Sequence, residues 1–223
     1  MKTQLSVIWL VICLAAVTMF VSKTSYASVE ATQAANAYDA LTTYTITRKG
    51  KKIGTHELRI TNKDNLITVD VTSKIRVTVL KIPVFRFNYS ATEKWIDGSL
   101  NSVTSTVDEN DKNTVVSLQS DTDSSMLETN DGSTQVARLN FTSNHWNPSV
   151  IYANRVFNTL TGKASKIDVA FIAEELLGNG IKASHYRYSG DITADTWYDT
   201  SGKWVKLSFA GKDGSLIEYT IDQ

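Results

Sequence analysis

The chain of 223 residues is poor in the residue types that most often carry catalysis or cross-links, with one cysteine, two prolines and three histidines. Cys13 lies inside an N-terminal apolar run, so a chain that loses this run has no thiol for a disulfide, a thiolate metal site or a cysteine nucleophile. The histidines, His56, His145 and His185, lie on separate segments. We therefore predict no metal site and no cofactor.

An excess of charge of one sign is also missing, since 23 Lys and Arg residues balance 23 Asp and Glu residues. The chain has no basic stripe and no acidic tract, so no nucleic-acid partner is expected. The Gly-x-Ser-x-Gly elbow, the Walker loop and the His-Glu-x-x-His motif are absent. We expect no catalytic residues, and an enzymatic role stays uncertain but less favoured than a non-catalytic one.

The N-terminus has the pattern of a secretory signal peptide. An apolar run from Leu5 to Val21 precedes the small-x-small sequence Ser25-Tyr26-Ala27, which predicts cleavage after Ala27. The alternative is an uncleaved anchor, because the run is only just shorter than the ~20 residues of a membrane-spanning helix. We predict a signal peptide over 1–27, a lead-in over 28–39 that is a loose helical turn or disordered, and one domain over 40–223. The protein is expected to be periplasmic or secreted, with no membrane span after cleavage.

Alternating apolar and polar residues fill the predicted domain. From Ile67 to Val79 every second residue suits one face of a strand, and Asx-Gly pairs such as Asp97-Gly98 mark turns. This pattern is typical of a half-buried antiparallel meander. We predict an all-β fold, a single curved antiparallel sheet or open half barrel of about 11 to 12 strands.

The alternation breaks once, around 143–155, where a short helical or loop insertion is expected. Pro148 suits a first helical turn, with Ser143 or Asn144 as its cap. Trp146 in "SNHWNPS" either plugs an open end of the curved sheet or contacts a ligand, because binding residues often lie on irregular segments of a rigid scaffold.

Two further stretches, near the C-terminus, contain aromatic and charged residues close together. In "HYRY", His185 and Arg187 share one face of a strand, opposite Tyr186 and Tyr188. In "DTWYDTSGKW", a hairpin turn with Gly202 at positive φ explains the sequence better than a site does.

The carboxylates of these stretches have simple interpretations. Asp195 and Asp199 are interpreted as capping turn amides. Glu174 and Glu175 would point to opposite faces, which argues against a shared acid-base role. The candidate ligand-binding residues are His145, Trp146, Tyr186, His185, Arg187 and Trp197.

Several separated motifs resemble a bacterial family of unknown function, the DUF6134 proteins. They are "YTITRKGKKIGTHELRI", "EKWIDGSL", "HWNPSV", "SHYRYSGDITADTWYD" and "KWVKLSFAGKDGSLIEY". The opening Gly-x-x-Ile-Gly hairpin is more distantly similar to the DUF3108 proteins and to lipoprotein-carrier folds. The second resemblance implies a curved antiparallel sheet around a hydrophobic cavity, and the first brings no known activity.

Three functions follow as hypotheses. Aromatic residues on strand faces favour a periplasmic binder or carrier of an apolar or amphipathic ligand. The alternative is an assembly or scaffold factor that binds a periplasmic protein partner through a sheet edge. A hydrolase or isomerase that uses His185 or His145 is a third, less favoured hypothesis.

Overall fold

The structure, a computed structural model of the chain, describes residues 31–222. The predicted signal peptide, its cleavage after Ala27 and the alternative anchor lie outside these residues. Residues 31–36 form a short helix, and the exposed fractions of Ala31, Ala34 and Ala35 are 0%, 3% and 4%. The described part of the predicted lead-in is therefore helical and packs into the core.

Fourteen strands and one 3-10 helix, Pro148–Tyr152, follow within the described residues. The strands are β1 Thr42–Arg48, β2 Lys51–Lys63, β3 Leu66–Val79, β4 Ile82–Ile96, β5 Ser99–Glu109, β6 Lys112–Ser120, β7 Ser124–Thr129, β8 Gly132–Ala137, β9 Arg155–Asn158, β10 Lys163–Leu176, β11 Lys182–Gly190, β12 Ala194–Asp199, β13 Trp204–Ala210 and β14 Leu216–Ile221.

All these strands belong to one antiparallel sheet that is not closed. Its order is β8-β7-β6-β5-β4-β3-β2-β1-β14-β13-β12-β11-β10-β9. The first and last strands pair at its middle, with Tyr44 opposite Ile221, and β8 and β9 are the two ends. The predicted all-β antiparallel fold is confirmed. The strand count exceeds the expected one by β7 and β9, which have six and four residues.

Alternate residues of the strands form a concave apolar face. On β3 and β4 this face carries Val69, Val71 and Trp95, all at most 2% exposed. The pairing of Val71 with Ala91 continues the face across the two strands. The strands are half-buried because period-two sequences place apolar side chains on one side only.

The segment 138–154, which we call the plug, connects β8 to β9 and lies against the concave face. Its neighbouring residues His145 and Trp146 contact Tyr188 of β11 and Trp95 of β4 respectively. Six strands lie between β4 and β11 in the sheet, so the sheet must curl around the plug. The 3-10 helix is capped by Asn147, whose side chain accepts from the Ser149 amide at 3.1 Å.

That cap corrects the expectation for the insertion. Ser143 and Asn144 do not cap the helix, because the Asn144 amide instead donates to a buried carboxylate on β4. Pro148 does open the helix. Trp146 is 1% exposed, as expected of a side chain that plugs the sheet.

The stretch 195–204 is the hairpin between β12 and β13. Gly202 has φ +82°, and a Cβ there would lie 3.2 Å from Cγ of Pro148 in the plug. A bulge between Trp197 and Tyr198 shifts the register, so that Trp197 pairs with Lys206 and Tyr198 with Trp204. The two tryptophans consequently lie on opposite faces of the sheet.

Candidate functional site

A buried carboxylate fastens the plug to the concave face. Glu93 of β4 is 0% exposed, and one of its oxygens accepts from Thr142 Oγ1 at 2.6 Å and Asn144 Nδ2 at 2.7 Å. The other oxygen accepts from the indole N–H groups of Trp95 and Trp146, both at 2.8 Å. Four uncharged donors thus replace the water that a carboxylate loses on burial. We call these five residues the plug anchor.

Tyrosine hydroxyls hold the plug on both sides of this anchor. Tyr89 Oη lies 2.7 Å from Asn144 Oδ1. Tyr38 precedes β1, and its hydroxyl donates to the Trp146 carbonyl and accepts from the amide of Trp204 on β13, both at 2.9 Å. The plug is therefore bonded to β4 and, through Tyr38, linked to β13 on the other half of the sheet.

Two histidines lie in the aromatic interior, His145 in the plug and His56 on β2. The ring of His145 stacks between those of Tyr188 and Trp204, with centroids 5.3 and 5.6 Å away. Burial lowers the pKa of His145 to about 4. Burial, and secondarily the nearby His145, lowers the pKa of His56 to about 3, and its Nδ1 lies 2.7 Å from Ser73 Oγ. Both rings are neutral near pH 7, because their pKa values are far below it.

The space left beside the plug is small. The two voids that border it enclose ≈ 0 and ≈ 10 Å³, and both are lined by Thr142, His145 and Val150. Pockets for small organic ligands usually enclose about 300 to 1,000 Å³. With the plug in place, these voids are too small for an apolar ligand the size of a lipid.

The opposite, convex face carries a second polar group of side chains, which we call the outer cluster. His185 places Nδ1 2.7 Å from Glu175 Oε1 and Nε2 2.7 Å from Asp195 Oδ1. Trp197 stacks on the His185 ring at 4.2 Å and donates its indole N–H to Glu175 at 2.9 Å. Arg187 Nε donates to Asp195 at 2.8 Å. The pKa of Glu175 is lowered, chiefly by the hydrogen bond from Trp197.

The side chains of the outer cluster bind neighbouring strands to one another. Carboxylates from β10 and β12 lie 2.7 Å from the two ring nitrogens of His185, so the ring joins these strands to β11. Asp195 was interpreted as capping turn amides, and this is wrong, because it lies directly across from Arg187 and its carboxylate contacts His185 and Arg187. The same interpretation is confirmed for Asp199, which accepts from the amides of Ser201 and Lys203 at 2.8 and 3.0 Å.

The structure does not bring the six candidate ligand-binding residues together. The shared face of His185 and Arg187 is confirmed, since both contact Asp195. The six residues lie in three places. His185, Arg187 and Trp197 belong to the outer cluster, and His145 and Trp146 belong to the plug. Tyr186 lies at the rim of the concave face.

Tyr186 lies near an unpaired strand edge. β9 pairs with β10 only up to Lys166, and on that side no backbone group in the described chain bonds to β10 from Asp168 to Leu176. We call this stretch the free edge. Large apolar side chains are exposed along it, namely Phe171 at 55%, Ile172 at 42% and Leu176 at 71%.

Aromatic rings extend this apolar surface. Tyr186 packs edge-on against Phe171, with centroids 5.6 Å apart, and Tyr152 of the plug is 82% exposed. The proximity of Tyr152 contributes, after burial, to the raised pKa of Tyr186. The other end of the sheet differs, because β8 has the mostly polar sequence "GSTQVA".

Glu93 was not among the candidate residues, although its position was visible in the sequence. It alternates with Tyr89, Ala91 and Trp95 on the apolar face of a predicted strand. A carboxylate on such a face requires buried donors. No pattern in the sequence indicated the free edge, because the sequence does not show where β9 stops pairing with β10.

Comparison with protein families gives one match. The family described as "Domain of unknown function (DUF6134)" matches residues 44–222, which include nearly all of the sheet, the plug and the outer cluster. No curated protein matches the chain. Among residues 31–222, no helix is long and apolar enough to cross a membrane.

Proposed function

The chain belongs to the DUF6134 family, and we propose that it is a non-catalytic scaffold protein that binds an extended polypeptide along the free edge. The observation that carries this proposal is the unpaired stretch of β10 from Asp168 to Leu176 beside exposed apolar side chains. Unpaired strand edges bind extended segments through backbone hydrogen bonds, and pockets for alternate side chains add specificity.

The surroundings of the free edge define the partner's chemistry. Asp168, Glu174 and Glu175 lie along it, and no Lys or Arg lies between Asp168 and Leu176. A partner strand that alternates apolar residues with Lys or Arg would match both the apolar surface and this charge. A bulge between Phe171 and Ala173 bends the edge, which disfavours pairing between two copies of β10.

Site-specific cross-linking tests the proposal. A photo-reactive amino acid in place of Ile172, in the full chain expressed in its host, is expected to yield one dominant polypeptide adduct. A synthetic peptide of the cross-linked segment should then slow amide hydrogen exchange at residues 168–176, because an added strand protects edge amides.

A matched position on the other end of the sheet controls this experiment. Thr134 of β8 is exposed on the opposite terminal strand, and the same probe there should give no such adduct. Phe171→Ser should reduce the adduct at 172 without lowering the melting temperature by more than a few degrees. Equal labelling from 134 and 172, or a peptide that leaves exchange at 168–176 unchanged, would reject the edge as a binding site.

A carrier of an apolar or amphipathic ligand is the second candidate. Its support is the aromatic lining of the concave face under the plug, which includes Trp95, Tyr188 and Trp204. A ligand the size of a lipid would have to displace the plug. Organic extraction of protein purified from its host should then release a lipid. A lipid-free preparation with the plug protected from hydrogen exchange would oppose this function.

The site of action proposed for either function is the periplasm or the cell exterior. The apolar run and the small-x-small sequence before Ser28 support this location. N-terminal sequencing of protein from a periplasmic fraction should begin at Ser28, whereas Met1 retained in membranes would contradict it.

A further inference from the structure

The β3–β4 hairpin extends beyond both of its neighbours. The ladder between β2 and β3 ends where Gly54 pairs with Ile75, and the ladder between β4 and β5 ends where Phe87 pairs with Glu109. Past these points Arg86 still bonds to Asn110, and the two strands then pair with each other as far as Val79 and Ile82. We call residues 77–85 the tip hairpin, and it projects from the end of the sheet.

The tip hairpin is apolar and exposed. Leu80 is 91% exposed, Ile82 64% and Val84 54%. Soluble proteins seldom expose contiguous apolar side chains unless these contact a partner or a membrane. From Val77 to Leu80 the strand rises by about 10 Å, which matches the depth of roughly 5 to 10 Å that interfacial elements reach in a bilayer.

The turn at the end of the tip hairpin contains residue types that are unusual in such a turn. Leu80 and Lys81 have φ of 50° and 69°, a conformation that costs a bulky residue energy and normally selects Asn, Asp or Gly. Other two-residue turns of the sheet use such residues, as in Asp97-Gly98 and Asn110-Asp111. The chain thus keeps a large apolar side chain at its most projecting point despite the strain.

A basic groove lies at the base of the tip hairpin. It has a volume of ≈ 330 Å³, and its lining includes Lys52, Lys74, Arg76 and Arg86. No Asp or Glu occurs between Asp70 and Glu93.

The neighbouring β5–β6 hairpin compensates only part of this charge. Arg86 is ion-paired with Asp108 and Asp111. No ion pair within the described residues engages the other three cations, Lys52, Lys74 and Arg76. An excess of positive charge therefore surrounds the base of the apolar tip.

We propose that the tip hairpin inserts into the interface of an anionic lipid membrane, with the phosphates of the headgroups bound in the basic groove. The apolar end of the hairpin is about 10 Å long and projects beyond a group of cations. A lipid leaflet has the complementary arrangement, because its acyl chains lie beneath an anionic surface. An acidic protein would match the groove but would leave the exposed tip without an apolar environment. The inference is independent of the free edge, which lies on the other half of the sheet.

A local fluorescence measurement tests the insertion in the full chain. With Cys13→Ser and Val84→Cys, an environment-sensitive nitrobenzoxadiazole label at residue 84 should shift to the blue on vesicles of phosphatidylglycerol and phosphatidylcholine. It should not shift on vesicles of phosphatidylcholine alone, because the cations need anionic headgroups. The same label on Ile96→Cys, at the opposite end of β4 and 39% exposed, is the matched control and should stay unchanged.

Turn and charge variants separate insertion from misfolding. Leu80→Asn with Lys81→Gly gives the turn its preferred residues, so the melting temperature should hold or rise while vesicle affinity falls on the order of tenfold. Lys74→Gln with Arg76→Gln should also weaken binding and reduce its dependence on salt. Ile96→Thr should leave affinity unchanged.

Three results would overturn the inference. The first is a label at residue 84 that does not respond to anionic vesicles, and the second is a Leu80→Asn, Lys81→Gly variant that binds them as well as the original chain. The third is a shift of the label with soluble poly-glutamate as strong as the shift with vesicles, which would assign the surface to an acidic polypeptide.

Discussion

The plug anchor and the outer cluster each contain a carboxylate that accepts an indole N–H, yet they lie on opposite faces of the sheet. Glu93 is 0% exposed and has four uncharged donors. The side chain of Glu175 is 38% exposed, and its partners belong to a network of His185, Arg187 and Asp195.

The comparison shows that surroundings, rather than the kind of hydrogen bond, decide what a carboxylate contributes. On the concave face no water can replace a lost partner, so each donor of the plug anchor depends on Glu93. On the convex face solvent and neighbouring charges compensate for a change. The concave group holds the plug in place, whereas the outer cluster adds modest support between β10, β11 and β12.

Removal of the Glu93 carboxylate should have the largest effect. Glu93→Ala leaves the indole groups of Trp95 and Trp146 and the amide of Asn144 without acceptors, which predicts a loss of about 5 kcal/mol in unfolding free energy. Urea denaturation measures this loss. Glu93→Gln keeps the shape and should lose less. A loss below about 1 kcal/mol for Glu93→Ala would show that the plug is held elsewhere.

Trp146→Ala tests whether the plug is core or gate. A buried tryptophan of this kind contributes about 3 to 5 kcal/mol, so a large drop in melting temperature is expected if the plug is core. Uptake of a fluorescent apolar probe by the same variant should rise only with the unfolded fraction. A gate would instead show a small stability loss and a large change in uptake.

The interior histidines should make the fold acid-sensitive. His56 and His145 have folded pKa values of about 3 and about 4, below the ordinary value of about 6.5. The unfolded chain therefore binds protons that the folded chain does not, and stability falls as pH drops below about 6.5, by about 1.4 kcal/mol per pH unit for each ring.

Comparison of unfolding free energy at pH 6 and 5 measures this slope above the range where most carboxylates titrate. The two rings contribute about equally to this slope, so His145→Gln should remove about half of their joint contribution. An unchanged slope would mean that the ring of His145 takes up its proton without unfolding.

Glu175→Gln should have the smallest effect. Its carboxylate is partly exposed, and such ion pairs contribute about 0.2 to 1 kcal/mol to stability. Urea denaturation should give a loss in this range, several-fold smaller than that for Glu93→Ala. A loss of about 3 kcal/mol or more would remove the contrast between the two faces.

Much of the fold follows from local patterns. The alternation from Ile67 to Val79 predicts β3, and the Thr200 to Gly202 stretch predicts the turn between β12 and β13, because both depend only on side-chain period and backbone φ. The insertion around 143–155 was visible as the loss of that alternation. The helix cap was not, because Asn147 and Asn144 are both suitable caps and only the position of Glu93 separates them.

The candidate site was less accessible to prediction. His185 and Arg187 share a face as expected, but their partner Asp195 is fixed by strand register. A bulge between Trp197 and Tyr198 shifts a different register, that of β12 with β13, by one residue and moves Trp204 to the other face.

The sequence by itself determined an antiparallel sheet, its main turns and the buried face of the strands with a clear alternation, such as β3, since these depend on neighbours along the chain. Tertiary structure alone decided that β1 pairs with β14, that the plug crosses to Glu93, and that β10 keeps a free edge. These features depend on contacts between residues far apart in sequence, where many pairings bury similar apolar area and only the assembled sheet selects one.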